Sequence, residues 1–174
     1  MLIWFLGGFT CAAAALVVAA YFKFMSLRKA VFHARMRLEA CLKMRRELIP
    51  SLALSGAGMQ GLERDFVYAL GHLKDPPNLA GGLSRRIAEE AEISQSLQKL
   101  FAAAQDLAEK DGHFAHLQQG VASAEHKIEQ CKKRYNSAVR DFNTLSAVFP
   151  LNCIAKLMEL ETLEYFDFEP SLKK

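Results

Sequence analysis

Two histidines three residues apart, His113 and His116, come closest to the spacing of a metal site. At i and i+3 of a helix they would project from one face and supply two of the four ligands that a zinc ion usually takes. They directly follow a turn at Lys110, Asp111 and Gly112, and the sequence offers no second ligand pair to match them. We therefore interpret them as a solvated pair and predict no metal and no cofactor.

Other catalytic groups give no coherent pattern. The sequence contains no HExxH, GxSxG or Walker motif. Glu89, Glu90 and Glu92 are assigned to a solvated face, because nothing sets their pKa values apart as acid–base catalysis requires. The four cysteines have no CxxC or other ligand spacing, which fits structural thiols in a reducing compartment. The sequence therefore predicts a protein without enzymatic activity.

The N-terminal run from Leu2 to Phe22 contains no charged residue. About 20 apolar residues in a helix cross a hydrocarbon layer of about 30 Å, so this run predicts a transmembrane anchor over residues 1–23. A cleaved signal peptide is the alternative, with the alanines at 12–15 and 19–20 as its cleavage region. Signal peptides normally begin with a basic segment and have a shorter apolar core, which favours the uncleaved anchor.

Basic residues follow this run closely, whereas only the amino terminus precedes it, and the asymmetry predicts a cytoplasmic domain. Lys43, Arg45 and Arg46 extend the basic character against one acid, Glu39. Contacts with anionic headgroups at about 1 kcal/mol each would explain this density, although topology alone also explains it. The formal net charge is only +3, so we predict no nucleic-acid partner. The basic neck consists of Lys23, Arg28, Lys29, Arg35 and Arg37.

Apolar residues in the second half follow one another at alternating steps of four and three, which is a heptad seam. The seam predicts one long helix that ends before Pro150. Its mixture of small and large residues favours packing within an antiparallel bundle of one chain over a parallel dimer, which stays open as the alternative. The seam residues are Leu117, Val121, Ala124, Ile128, Cys131, Tyr135, Ala138, Phe142, Leu145 and Phe149.

The fold prediction is all-α, with a single N-terminal transmembrane helix followed by an antiparallel bundle of three to four long helices. Prolines and glycines at 75–82 break the chain, and Pro50 with the glycines after it predicts a kink near 50–58. Tyr165, Phe166 and Phe168 are predicted to pack on the bundle, with an exposed partner motif as the alternative. The predicted bundle covers 24–174, with helices at 24–73, 84–108, 113–149 and 151–160 and a tail at 161–174.

Two separated segments, RRELIPSL at 45–52 and RYNSAVRDFNTLSAVFPLNCIAKL at 134–157, resemble the LemA family. The resemblance covers nearly the whole chain. It implies a bacterial protein with a short membrane anchor, long antiparallel helices and no established catalytic activity, and some relatives serve magnetosome membrane formation. The chain departs from the family pattern at Gln105 and Asp106, where Tyr-Pro is usual, and at Lys132, where Arg is usual. The matching positions are Arg46, Ile49, Pro50, Glu125, Tyr135, Asn136, Val139, Asn143, Phe149, Pro150, Asn152, Ala155 and Phe166.

The motif has a structural and a functional interpretation. Asn136 and Asn143 lie seven residues apart on one stripe, where Arg46 or backbone carbonyls freed by Pro50 would satisfy their amides. Alternatively, Arg46, Tyr135 and the two asparagines line a small polar pocket or a partner groove. The candidate groove comprises Arg46, Ile49, Pro50, Tyr135, Asn136, Asn143, Phe149, Pro150 and Asn152.

The leading functional hypothesis is a membrane-anchored, non-enzymatic scaffold that recruits proteins or organises membrane. The alternatives are an accessory or regulatory subunit of a membrane protease or transport complex, and an enzyme of unrecognised mechanism. The predicted partners are membrane lipid, through the N-terminal helix and the basic neck, and membrane or cytoplasmic proteins, with a homo-oligomer left open. The predicted location is the bacterial inner membrane, or a membrane derived from it, in a single pass with the C-terminal domain in the cytoplasm.

Overall fold

The computed structural model describes residues 2–56, 83–103 and 112–167. Every regular element in these ranges is a helix, so the predicted all-α class is confirmed for them. The predicted end of the first helix at 73 and the last residues of the second, 104–108, lie outside the described residues. The helices are α1 at Leu2–Gly56, α2 at Leu83–Ala103, α3 at Gly112–Ala147 and α4 at Leu151–Leu157.

Helix α1 is continuous from the predicted anchor into the predicted first helix of the bundle. Pro50 lies inside it, so the missing N–H of this residue does not end the helix. Of the helices in the described part of the chain, none has the length and apolar character that a membrane crossing requires. The transmembrane anchor therefore stays a prediction.

The chain divides into two compact units. The first unit consists of Met1–Arg35 and Arg134–Tyr165, and the second of Met36–Lys133 and Phe166–Lys174. Each unit thus combines segments that are far apart in sequence.

The core of the second unit is one apolar cluster to which α1, α2 and α3 all contribute. Burying a Leu, Ile or Phe side chain stabilises a fold by about 1.5–3 kcal/mol, so this cluster is the main force that holds the three helices together. Its members are Ile49, Leu52, Ile93, Leu97, Leu100, Phe101, Phe114, Leu117 and Val121.

Helices α1 and α3 run antiparallel in this unit, as the intrachain bundle predicts. Three contacts between them show it, because residue numbers rise along α1 as they fall along α3. The contacts join Sγ of Cys41 to Sγ of Cys131 at 3.3 Å and Nη1 of Arg45 to Oε1 of Glu125 at 3.9 Å, and the side chain of Leu48 lies next to Gly120, 3.5 Å from where a Cβ atom would be.

The predicted seam along α3 is confirmed over most of its length. Phe149 is the exception, since it is 78% exposed. Helix α3 ends at Ala147, two residues earlier than predicted, because a residue that precedes proline is driven out of the helical conformation. Phe149 therefore leaves the helical stripe. The buried seam residues are Leu117, Val121, Ala124, Ile128, Tyr135 and Phe142.

In the first unit, α1 buries one narrow stripe made of Ala20, Phe24 and Val31. The rings of Phe24 and Phe142 meet edge to face, with their centroids 6.1 Å apart. This geometry is favourable for aromatic pairs and fixes α3 beside α1 at this level.

Helix α4 ends at Leu157, three residues earlier than predicted. The chain leaves it through a Schellman motif, in which the Glu159 N–H donates to the Lys156 carbonyl and the Leu160 N–H to the Ala155 carbonyl. Glu159 has a φ of 49°, the left-handed conformation that this motif requires and that glycine usually supplies.

Candidate functional site

A network of buried charges occupies the interior of the second unit. Arg45 lies on the same face of α1 as Leu42 and Ile49, so its guanidinium enters the core. Its Nη2 lies 2.5 Å from Oε2 of Glu90 and its Nη1 donates to Oγ of Ser94 at 2.8 Å. Both residues of the ion pair are fully buried.

Two further charges complete this network. Arg46 donates to Oε1 of Glu90, so one carboxylate bridges two guanidinium groups. Glu125 on α3 approaches Arg45 at 3.9 Å. Burial lowers the pKa of Arg45, whereas the carboxylates of Glu90 and Glu125 act in the opposite direction. Two positive and two negative side chains therefore balance, which is what buried charges require.

The network holds helices together and leaves little freedom for chemistry. Both carboxylate oxygens of Glu90 accept hydrogen bonds from arginines, and the residue has no exposed surface. A general acid or base must reach the proton that it transfers, and Glu90 has no such access.

The solvated-face interpretation of Glu90 was therefore wrong, and so was the inclusion of Arg45 and Arg46 in a lipid-facing extension of the neck. A signal for both existed in the sequence. On two helices a charged residue stands at a position that the apolar spacing assigns to the core. These positions are Arg45 between Leu42 and Ile49, and Glu90 before Ile93 and Leu97.

All five residues of the basic neck are exposed. Lipid contact itself stays a prediction.

In the first unit, the family motif binds the C-terminal tail. Nδ2 of Asn143 donates to the Leu163 carbonyl and its Oδ1 accepts from the Leu163 N–H, both at 2.9 Å. The Tyr135 hydroxyl donates to the Glu164 carbonyl at 3.0 Å. Asn143 thus pairs with the tail like a strand partner, and the predicted cross-link from Asn143 to Arg46 or the carbonyls near Pro50 was wrong.

Tyr135 is held neutral by these surroundings. Burial raises the pKa of its hydroxyl, the positive charge of Arg35 opposes the rise, and Glu164 adds to it. The hydroxyl therefore remains a hydrogen-bond donor to the tail at neutral pH.

The remaining groove residues are spread over different environments. Ile49 belongs to the core cluster, and Pro50 lies within α1. Asn136 and Asn152 are half-buried, whereas Phe149 and Pro150 are exposed. Arg46 belongs to the second unit, whereas Tyr135, Asn136 and Asn143 belong to the first, and the shared groove stays a prediction.

Two of the four cysteines form a pair that the sequence interpretation missed. The sulfurs of Cys41 and Cys131 lie 3.3 Å apart, and both residues are half-buried thiols. Burial raises the pKa of Cys41 to about 11, and the hydrogen bond with Cys131 acts in the same direction. Ninety residues separate the two in sequence, so only the antiparallel pairing of α1 with α3 could have revealed them.

The tail and the histidines complete the candidates. Phe166 is buried, Tyr165 is exposed, and Phe168 lies outside the described residues, so the predicted packing holds for Phe166 alone. His113 and His116 are exposed at the start of α3. Among the described residues, no group of three or more His, Cys, Asp or Glu side chains is placed to hold a metal ion.

The comparison with protein families gives one result. The model of the LemA family matches residues 34–174, which is most of the chain and includes both family segments. None of the curated proteins matches the chain.

Proposed function

Since this chain belongs to the LemA family, we propose that it is a membrane-anchored helical scaffold without enzymatic activity, which recruits proteins or organises membrane. One observation carries the proposal: polar side chains of the family motif bond within the chain. Arg46 bonds to Glu90, Asn143 to the backbone of Leu163 and Tyr135 to the backbone of Glu164. Side chains that bond within the chain in this way stabilise the bundle. The outer surface of the bundle is then the part that contacts partners.

The first half of α1 supports the anchoring part of the proposal. Large apolar side chains are exposed along it. Single exposed apolar residues are common on protein surfaces, whereas several neighbouring ones indicate a surface that contacts a partner or a membrane. The uncharged run from Leu2 to Phe22 followed by the exposed basic neck favours insertion with the remaining chain in the cytoplasm. The exposed residues are Trp4, Leu16, Val17, Val18, Tyr21, Phe22 and Met25.

Protease accessibility in bacterial spheroplasts tests this arrangement, with the full chain carrying a C-terminal tag. We expect a full-length, membrane-bound product that resists protease until the spheroplasts are opened. A matched chain lacking residues 2–22 should move to the soluble fraction. A shortened product, or one that is cleaved in intact spheroplasts, would contradict the anchor and its orientation.

The scaffold role is tested by exchanging the anchor. Residues 2–22 are replaced by an unrelated transmembrane helix of the same length, and proteins that co-purify with each tagged chain are quantified after cross-linking in membranes. We expect the same partners at the same enrichment, because the bundle carries recruitment. Loss of the partners would contradict this, and a fixed ratio to one protease or transport complex would favour the accessory-subunit alternative.

A further inference from the structure

The turn between α3 and α4 exposes Val148 and Phe149, and Leu157 at the end of α4 is exposed as well. Val148, Phe149 and Leu157 are 51%, 78% and 83% exposed. Large exposed apolar side chains that are neighbours, as Val148 and Phe149 are, commonly mark a partner or membrane contact. We call these three residues the apolar tip.

The place of the tip along α1 follows from contacts within the first unit. Arg35 is near enough to Tyr135 to act on its pKa, and Phe24 packs against Phe142. The two helices are therefore antiparallel in this unit, so the C-terminal end of α3 lies beside the N-terminal part of α1. The tip begins directly after Ala147, the end of α3.

The tip lies beside the end of the predicted anchor. Ala147 is five residues beyond Phe142, or about 7.5 Å of helix, which corresponds to five residues before Phe24 on α1. Ala20 is buried at this level, so α1 is covered there. Residues 17–22 belong to the uncharged run, which means that Val148 and Phe149, directly after α3, are level with the last turns of the anchor.

The charges on α1 near this level match an anionic bilayer surface. Lys23, Arg28 and Lys29 follow the uncharged run and are exposed, whereas at the end of α4 the exposed Lys156 and Glu159 flank Leu157 with opposite charges. Aromatic and apolar side chains at the headgroup–acyl boundary, with basic side chains just outside it, are typical of segments that lie in a membrane interface.

We infer that the apolar tip is a second membrane contact, in which Val148, Phe149 and Leu157 enter the interfacial layer of the anionic bilayer that holds the anchor. The inference rests on the proposed anchoring of α1 and adds to it a docking surface for lipid. Such a contact holds the first unit against the membrane at two places and restricts its tilt, which one helix alone does not.

Fluorescence of three full-length chains, each with a single tryptophan, tests this contact. The native chain reports on the anchor through Trp4, its only tryptophan. The second chain carries Trp4→Phe with Phe149→Trp, and the matched control carries Trp4→Phe with Phe32→Trp. Phe32 is an exposed phenylalanine of the same unit, about 15 Å along α1 beyond Phe22.

The chains are reconstituted in vesicles of equal parts phosphatidylethanolamine and phosphatidylglycerol, with bromine atoms on the acyl chains either near the headgroup or near the methyl end. Interfacial side chains lie roughly 5–10 Å into the boundary, so we expect about twofold quenching of the Phe149→Trp chain by the shallow bromines and less by the deep ones. The Phe32→Trp chain should be nearly unaffected. Circular dichroism confirms that the three chains have the same helix content.

The native chain separates failure of the tip from failure of the anchor. Quenching of Trp4 without quenching of the Phe149→Trp chain overturns the tip contact and leaves the anchor intact. Absence of quenching at Trp4 overturns the anchor instead. A blue-shifted emission of the Phe149→Trp chain that bromine does not quench shows that protein, such as a second copy, covers the tip, and it also overturns the lipid contact.

Discussion

Oε2 of Glu90 on α2 lies 2.5 Å from Nη2 of Arg45 on α1, and neither side chain has any contact with solvent. Arg46 bonds to the other oxygen of the same carboxylate, so Glu90 links the side chains of two buried arginines of α1. Removing this carboxylate leaves both guanidinium groups without their main counter-charge.

Replacement of Glu90 by alanine should therefore strongly destabilise the second unit. Breaking a buried pair costs about 3–5 kcal/mol, since a buried charge is left uncompensated. Urea unfolding of the full chain in mild detergent, followed by far-ultraviolet circular dichroism, measures the loss in the free energy of unfolding.

Glu89→Ala is the matched control. Glu89 is the neighbouring carboxylate, and it pairs with Arg85 at 3.1 Å on the helix surface. An i,i+4 pair of this kind contributes about 0.2–0.5 kcal/mol. Equal losses for the two variants would contradict the role given to Glu90, and Glu90→Gln, which keeps the shape of the side chain, provides a milder variant should Glu90→Ala not fold.

Asn143→Leu should release the tail from α3. The substitution removes two hydrogen bonds to Leu163, each worth about 0.5–1.5 kcal/mol, while it keeps a similar side-chain volume. Hydrogen exchange followed by mass spectrometry should show faster exchange over residues 160–166. Thr144→Leu, at the exposed neighbouring position, should leave this exchange unchanged, and slow exchange in both variants would show that other contacts hold the tail.

Oxidised glutathione should convert Cys41 and Cys131 into a disulfide. Each protein thiol loses its proton, the protein sulfurs bond to each other, and glutathione leaves as two thiols. Their sulfurs are 3.3 Å apart and must close to about 2.05 Å, a small movement for two side chains. Intact-mass measurement should show the loss of two hydrogens, which Cys41→Ser abolishes and Cys153→Ser preserves.

The rate of this reaction should rise steadily with pH. The thiolate is the attacking form, and the pKa of Cys41 is raised to about 11, so little thiolate exists at neutral pH. The rate should therefore increase until the pH approaches this value. A rate that levels off near the ordinary thiol pKa of about 8.5 would show that the attacking thiolate is not that of a protected Cys41.

Gly120→Ala should stabilise the chain. Gly120 lies inside α3, where glycine costs about 1 kcal/mol relative to alanine. A Cβ atom there would lie 3.5 Å from Cδ1 of Leu48, an ordinary van der Waals contact. Urea unfolding should show a gain of up to about 1 kcal/mol, whereas Gly120→Leu should lose about 1–3 kcal/mol through overpacking. A loss on Gly120→Ala would contradict this packing.

Glu159→Gly should also stabilise the chain, at the end of α4. A left-handed conformation costs a non-glycine residue about 1–2 kcal/mol, and Glu159 adopts it with a φ of 49°. Part of this gain is offset by the greater freedom of glycine in the unfolded chain. Lys156→Gly, inside the helix, serves as the control and should destabilise. A thermal unfolding midpoint that moves in the same direction for both variants would contradict the assignment.

The spacing of apolar residues was sufficient to predict α3 and most of its buried face. Val121, Ile128 and Phe142 recur with the helical period, and periodicity is a property of the sequence alone. The end of that face was predicted less well, because Pro150 drives Phe149, the residue before it, out of the helical conformation.

The buried network was harder to predict for a different reason. Glu89, Glu90 and Glu92 have the same chemistry, and only Glu90 continues the stripe of Ile93 and Leu97. A rule that places every charged residue on the solvent-exposed face of a helix assigns all three glutamates to that face. The contact between Asn143 and Leu163 depends on where an irregular tail lies, which no period in the sequence describes.

The ion pair between α1 and α3 also sets the alignment of the two helices. Two helices that pack only through apolar side chains can shift along each other at little cost, because a leucine packs almost as well against a valine as against an isoleucine. A slip of one turn, about 5.4 Å, would carry Arg45 out of reach of Glu125 and upset the charge balance of the buried network. A shifted alignment of α1 on α3 is therefore less stable even where its apolar side chains pack well, because it breaks the ion pair. The buried charges thus favour one alignment of two helices whose apolar faces alone would allow several.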